Sequence, residues 1–130
     1  MATREYNKAL TRKNARKLDI GVASLKNLKT SARKARVLAD LIRGRSLNEA
    51  YDLLSHQIRF AARPMRDLLK SAASNANERG FDSDFLYVDE IQIHKGPIKK
   101  RFLCRAQGKS TPIRKQSTHI DIRLSKRDKG

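Results

Sequence analysis

The residues that could support covalent chemistry in this chain are few. Those that could be assembled into one site are the single thiol Cys104, the imidazoles of His94 and His119, and the carboxylate of Asp121. Cys104, His119 and Asp121 compose a nucleophile, base and orienting acid on paper. Cys104 falls at the far end of an expected hairpin and His119 near its base. An extended ribbon would hold them on the order of tens of ångströms apart. His94 and His119 facing each other across a stem supply two imidazoles, whereas a zinc site needs three or four ligands. Both are read as stem-packing or interfacial groups. No glycine loop of the phosphate-cradling kind is present, and no convincing carboxylate pair. The reading is therefore no enzyme, no metal and no cofactor.

What remains is cation chemistry. From Ile91 to Ile120 there are eight Lys and Arg and no carboxylate. Arg101, Arg105 and Arg114 carry planar forks that grip phosphate bidentately. Phe102, beside Arg101, offers a face to a base or packs on the ribbon, with packing favoured. Lys95, Lys99, Lys100, Arg101, Arg114 and Lys115 repel one another, so a polyanion must supply the counter-charge.

The elements that position these groups follow from pattern. The flanks Ile91/Ile93 and Ile120/Ile122/Leu124 alternate with period two, as half-buried strands do. Between them, about residues 94–119, lies a long basic hairpin. Its tip, Cys104-Arg105-Ala106-Gln107-Gly108-Lys109, is small, with Gly108 available for positive φ. The hairpin has no apolar face for a core, and an isolated two-stranded ribbon is marginal in water.

The chain has 130 residues, 38% hydrophobic and 5% aromatic, with no Trp. That suffices for one domain with a small core of Leu, Ile, Val and Ala. A net charge of +17 points to nucleic acid first and an anionic membrane surface second. No apolar run approaches the roughly 20 residues of a membrane span, and no signal-peptide core follows Met1. One cysteine excludes an intramolecular disulfide and a Cys-cluster zinc site.

Residues 1–23 read as a basic N-terminal extension, disordered when free and folding along phosphate when bound; Arg12, Lys13, Arg16, Lys17 and, just beyond it, Lys26 are its contacts. Leu25–Lys29 is a candidate strand. Thr30-Ser31 offers an N-cap for a helix over Ala32–Arg43, with Ala35, Leu38, Ala39 and Ile42 on one face and Gly44 as its stop. Arg33, Lys34 and Arg36 crowd the first turns, where the helix dipole disfavours cations, so an external anion is the favoured explanation. Arg43 is read as structural. Ser46-Leu47-Asn48-Glu49 fits a capping box opening a second helix. A third runs from about Ile58 to Arg79, its apolar stripe Ala61, Met65, Leu68, Leu69, Ala72 and Ala76; Pro64 demands a start near Phe60 or a bend. Leu86/Val88 and Ile91/Ile93 change phase along one strand, which predicts a bulge at Asp89-Glu90. Residues 24–125 form the domain and 126–130 a polar tail. Nine of the thirteen acidic residues fall between Asp40 and Glu90, separating a charge-balanced body from basic extensions. The expected fold is α+β: a small three-stranded antiparallel sheet packed with three helices, a protruding basic β-hairpin and a basic N-terminal extension.

Five blocks in order carry a family likeness: residues 30–44 (Thr30 to Gly44), Ser71-Ala72-Ala73-Ser74-Asn75-Ala76, Gly96-Pro97 with Lys100-Arg101, Arg105-Ala106-Gln107-Gly108, and Ser117-Thr118-His119-Ile120. From about Ser24 to Leu124 the chain resembles the bacterial-type family of large-subunit ribosomal protein twenty-two. The resemblance implies a structural constituent of the large ribosomal subunit, located in the cytoplasm within the ribosome, with an organellar ribosome left open. It implies that the body sits by the polypeptide exit, binds large-subunit ribosomal RNA, bridges several of its domains and supports assembly. The hairpin would line the exit tunnel near ribosomal protein four of the large subunit. Matching positions suggest RNA contacts by Arg33, Lys34, Arg36, Lys99, Lys100, Arg101, Arg114, Lys115 and His119, and tunnel lining by Arg105 to Lys109, where changes alter macrolide sensitivity. Implied partners are the RNA, neighbouring ribosomal proteins and the nascent polypeptide, with no membrane and no homo-oligomer. Departures are Cys104 where proline is usual, Lys109 and Ser110 where arginine and alanine are common, Gln116 for a basic residue, and Pro64 within the long helix. The alternatives are a free nucleic-acid chaperone or DNA-compacting protein, and a cationic membrane-surface protein, which the absence of Trp anchors disfavours.

Overall fold

Period-two and period-3.6 apolar patterns resolve into a sheet covered on one face by helices. The computed structural model describes residues 5, 7, 8 and 20–126. The elements are β1 (Gly21–Leu28), α1 (Ala32–Ile42), α2 (Leu47–Ser55), α3 (Ala62–Glu78), a 3₁₀ turn at Ser83–Phe85, β2 (Leu86–Lys95), β3 (Lys99–Cys104), a 3₁₀ turn at Ala106–Gly108, β4 (Ser110–Lys115) and β5 (Thr118–Lys126). β1, β5 and β2 form an antiparallel sheet in that order, and β3 pairs with β4 in a separate ribbon. The α+β expectation holds.

Local chemistry explains the helix ends. The Ser31 hydroxyl accepts from the Lys34 amide at 3.5 Å, and Gly44, at φ +75, follows the last turn of α1. Ser46 caps α2 through the Glu49 amide. α3 begins at Ala62, four residues later than the apolar pattern suggests. Pro64 therefore sits in the first turn, where its missing N–H costs no intrahelical bond. Its stripe is buried as read: Ala61, Met65, Leu68, Leu69, Ala72 and Ala76.

Further boundaries differ from the sequence reading. β1 starts at Gly21 instead of Leu25, so residues 21–23 of the segment read as an extension belong to the sheet. Periodicity missed them because Gly21, Val22 and Ala23 show no alternation of polarity. β5 runs through Lys126, one residue into the segment read as a tail, because Lys126 pairs with Leu86. The rest of the tail lies outside the described residues. The first helix ends at Ile42, with Arg43 as its cap. The register of β2 against β5 shifts between Val88 and Glu90; this is the expected bulge, and it turns Leu86, Val88 and Ile91 all into the core.

The C-terminal strand β5 is the centre of the sheet. Ile120, Ile122 and Leu124 are fully buried against the helices. Both sheet edges are tied down. Gly44 N–H donates to Val88 O and Val88 N–H to Arg45 O, joining the α1–α2 turn to β2. On the other edge the Asn75 amide donates to Val22 O, joining α3 to β1. Such cover blunts the pairing hazard of open edges.

β1 and α3 approach so closely that a Cβ on Gly21 would lie 2.5 Å from the Ala72 carbonyl oxygen and 3.0 Å from the Ala76 Cβ. The obstacle is backbone, which cannot swing aside. Gly21→Ala is expected to lower stability by about 1–3 kcal/mol and Tm by roughly 5–10 °C, measured by circular-dichroism melting. Adding Ala76→Gly should not restore it, since the carbonyl contact remains.

Candidate nucleic-acid interface

The basic residues of the sequence reading fall into a groove, a ribbon and a remainder. The groove runs between the start of α1, the loop before α3 and the base of the hairpin, with a volume of about 1730 Å³. Small-molecule pockets hold about 300–1,000 Å³, so this open trough suits a polymer. Among the described residues its cations are Lys29, Arg33, Lys34, Arg36, Arg59, Lys95, Lys99, Arg101, Arg114 and Lys115, and no carboxylate lines it.

Each wall has a structural origin. Ser31 starts α1, and no acidic residue occupies the first turn. The partial positive charge of the helix start thus adds to Arg33, Lys34 and Arg36 instead of offsetting them. Arg36 also donates a guanidinium N–H to the β2 carbonyl of Ile93 at 3.4 Å, which orients its head while it lines the groove. Thr118, fully buried at the start of β5, donates to the Thr30 carbonyl at 2.6 Å and holds the α1 entry to the hairpin base. Arg43 is structural, as read: it bridges Asp40 at 2.8 Å and the Ile91 carbonyl at 3.3 Å.

The hairpin is interrupted. β2 and β5 pair as far as Lys95 and Thr118, and β3 and β4 start afresh at Lys99 and Lys115. At the break Gly96 N–H donates to Ser117 O, and the Ser117 hydroxyl donates to Pro97 O at 2.6 Å. Beyond it every residue from Pro97 to Gln116 is exposed. The ribbon does not curl onto the helices. Across it Lys99 faces Lys115 and Lys100 faces Arg114, like-charge pairs that disfavour the ribbon in isolation. Arg105 N–H donates to Lys109 O at 2.7 Å to close the tip. Gly108 takes φ +68, as expected, and Gln107 takes φ +61, which the sequence did not suggest. Cys104 is exposed at the end of β3. Phe102, for which packing was favoured, stands opposite Pro112 but is 71% exposed. A two-stranded ribbon has no second layer to bury it.

His94 and His119 are cross-strand partners, as the stem reading expects. The His119 Nδ1 accepts the Asn27 amide at 3.0 Å, where Asn27 has φ +59 at an irregularity of β1. His94 lies 3.9 Å from Asp121, and Asp121 accepts the Ser24 hydroxyl at 2.6 Å. The paper triad is thus dispersed: Asp121 and His119 serve the sheet, and Cys104 is at the ribbon's end. Burial raises the Tyr51 phenol above its ordinary pKa, with Asp67 adding and Arg66 opposing, and Tyr51 does not line the groove. Among the described residues no cluster of three or more His, Cys, Asp or Glu is placed to hold a metal, and no helix is long and apolar enough to cross a membrane.

Lys26 and Lys100 are exposed but lie off the groove, and Arg12, Lys13, Arg16 and Lys17 lie outside the described residues. Lys29, Arg59 and Phe60 were missed. Arg59 and Phe60 carry a signal: the apolar pattern places Ile58-Arg59-Phe60 in the third helix, whereas the later start that Pro64 favours leaves them in the loop before it.

The structure is thus a small α+β body with a projecting ribbon and a groove that no carboxylate of the described residues lines. Residues 23–125 match the family described as ribosomal protein L22p/L17e. The chain belongs to that family, a family of structural proteins. It is similar to the large ribosomal subunit protein uL22 of Rubrobacter xylanophilus, at 46% identity over 78% of this chain and 81% of the relative. It is also similar to the uL22 proteins of Ligilactobacillus salivarius, at 44% over 79% and 90%, and Acetivibrio thermocellus, at 39% over 91% and 98%.

The break at the hairpin base is tight: a Cβ on Gly96 would meet the Ser117 Oγ at 2.5 Å and the His119 Cε1 at 3.2 Å. Gly96→Ala should cost about 1 kcal/mol by displacing the hydroxyl from Pro97. In a thermal-melt double-mutant cycle, Gly96→Ala with Ser117→Ala should recover part of that loss. Strict additivity would move the obstacle from the hydroxyl to the backbone.

Proposed function

We propose that this chain, a structural constituent of the large ribosomal subunit, binds large-subunit ribosomal RNA through the basic groove, supports assembly, and lines the polypeptide exit tunnel with its hairpin tip. The convergence of ten cations from α1, the loop before α3 and the hairpin base on one trough that no carboxylate of the described residues lines carries this reading. Phosphates seated there would relieve the mutual repulsion of the walls and release condensed counterions, so affinity should fall steeply with salt. Lys26, Lys100 and His119 extend the contact beyond the trough. Arg12, Lys13, Arg16 and Lys17, which precede β1 in the sequence, are assigned the same role on charge alone. Neighbouring ribosomal proteins are further partners, and the chain enters as a single copy.

Exposure of the whole ribbon supports the tunnel role. Its side chains are available on every side, and Cys104, Arg105, Ala106, Gln107, Gly108 and Lys109 end it in a narrow turn. The nascent polypeptide is the partner this tip would meet.

Two experiments separate the parts. Replacing Arg33, Lys34 and Lys99 with Ala should reduce the slope of log K against log salt by about 2–3 for ribosomal RNA, and mass spectrometry of particles should show weakened incorporation. Full incorporation with an unchanged slope would defeat the groove reading, and sedimentation of the natural chain with DNA instead of large particles would replace it with a DNA-compacting role. Deleting Leu103 to Lys109 should leave the melting of the body and most RNA affinity intact while altering stalling in ribosome profiles. Unaltered stalling and drug sensitivity would end the tunnel claim.

A further inference from the structure

Charge does not account for one wall of the groove. Phe60 lies there, in the loop between α2 and α3 and beside Arg59, with 67% of its surface exposed. It takes no part in the core of the described residues, which is built from Leu, Ile, Val, Met and Ala side chains. An aromatic ring left in water forfeits the burial that normally places Phe inside.

Lys and Arg alone read phosphate and carry no preference for a base. An aromatic face set among them is the combination that holds unpaired nucleotides, because the backbone tracks the cations while a base stacks on the ring. Resting on the RNA-binding reading above, we infer that Phe60 is a stacking platform for an unpaired base of the RNA whose phosphates occupy the groove. A continuous duplex keeps its bases inside the stack, so the occupant is a bulged, looped or terminal nucleotide. Phe102 is as exposed but belongs to the ribbon and does not line the trough. An apolar protein surface on Phe60 would have to bury the surrounding cations without partners, which disfavours a protein occupant.

The chain contains no tryptophan, so Phe60→Trp installs a single reporter. Full-length protein carrying it is titrated with transcribed large-subunit ribosomal RNA and with inorganic polyphosphate, which has the charges without the bases. RNA should quench the indole and polyphosphate should not. Phe60→Ala should raise the Kd for the RNA about five- to a hundredfold at fixed salt. It should leave the salt slope and the polyphosphate Kd unchanged, and Phe60→Leu should not restore binding. The ring is exposed, so melting should be unaffected in all three variants. Equal quenching by both polymers, unaltered RNA affinity in Phe60→Ala, or full affinity in Phe60→Leu would overturn the stacking assignment. Binding of both polymers without quenching by RNA would sink the stack alone, whereas binding of neither would remove the groove reading and the stack together.

Discussion

Like charges held side by side are the constraint on which the rest of the molecule depends. Lys99 faces Lys115 and Lys100 faces Arg114 across the ribbon, and the helix start at Ser31 adds its own positive end to the same trough. Each pair of unit charges at about 5–8 Å in water repels by roughly 0.5–0.8 kcal/mol, and salt weakens this further. No single pair threatens the fold. Together they mean that a polyanion seated on this surface would relieve the repulsion and add stability.

The cations are positioned by a core that contains none of them. Ile120, Ile122 and Leu124 anchor β5, and Leu38, Ile42, Met65 and Leu69 press the helices onto it. The hairpin leaves this body as the continuation of β2 and β5, so its direction follows from the sheet. Thr118, His119 and Ser117 occupy the junction and hold Thr30, Asn27 and Pro97 respectively. These short polar ties relate one wall of the groove to the other. The Gly96 break sits just beyond them, where pairing stops and the exposed ribbon begins.

Placing the last strand in the middle of the sheet has a cost in sequence distance. Gly21 pairs with Leu124 and Ala23 with Ile122, contacts that close nearly the whole chain. Such long-range pairing is entropically slow to establish. Until β5 is in place, β1 and β2 have no common partner and the groove has no hairpin wall.

The order of residues alone determined a good deal. The stripe of α3, the Ser31 and Ser46 caps, the bulge at Asp89-Glu90, the carboxylate-free hairpin and positive φ at Gly108 are set by neighbours a few positions away. Periodicity and turn chemistry record such relations directly. The tertiary structure alone decided that β5 is central, that β1 begins at Gly21, and that Lys29, Arg59 and Phe60 join Arg33, Lys99 and Arg114 in one trough. It also decided that Phe102 lies bare and that His119 spends its Nδ1 on Asn27. These facts depend on which remote segments meet. That choice follows from the summed burial and hydrogen bonding of the whole body, for which no local pattern is a record.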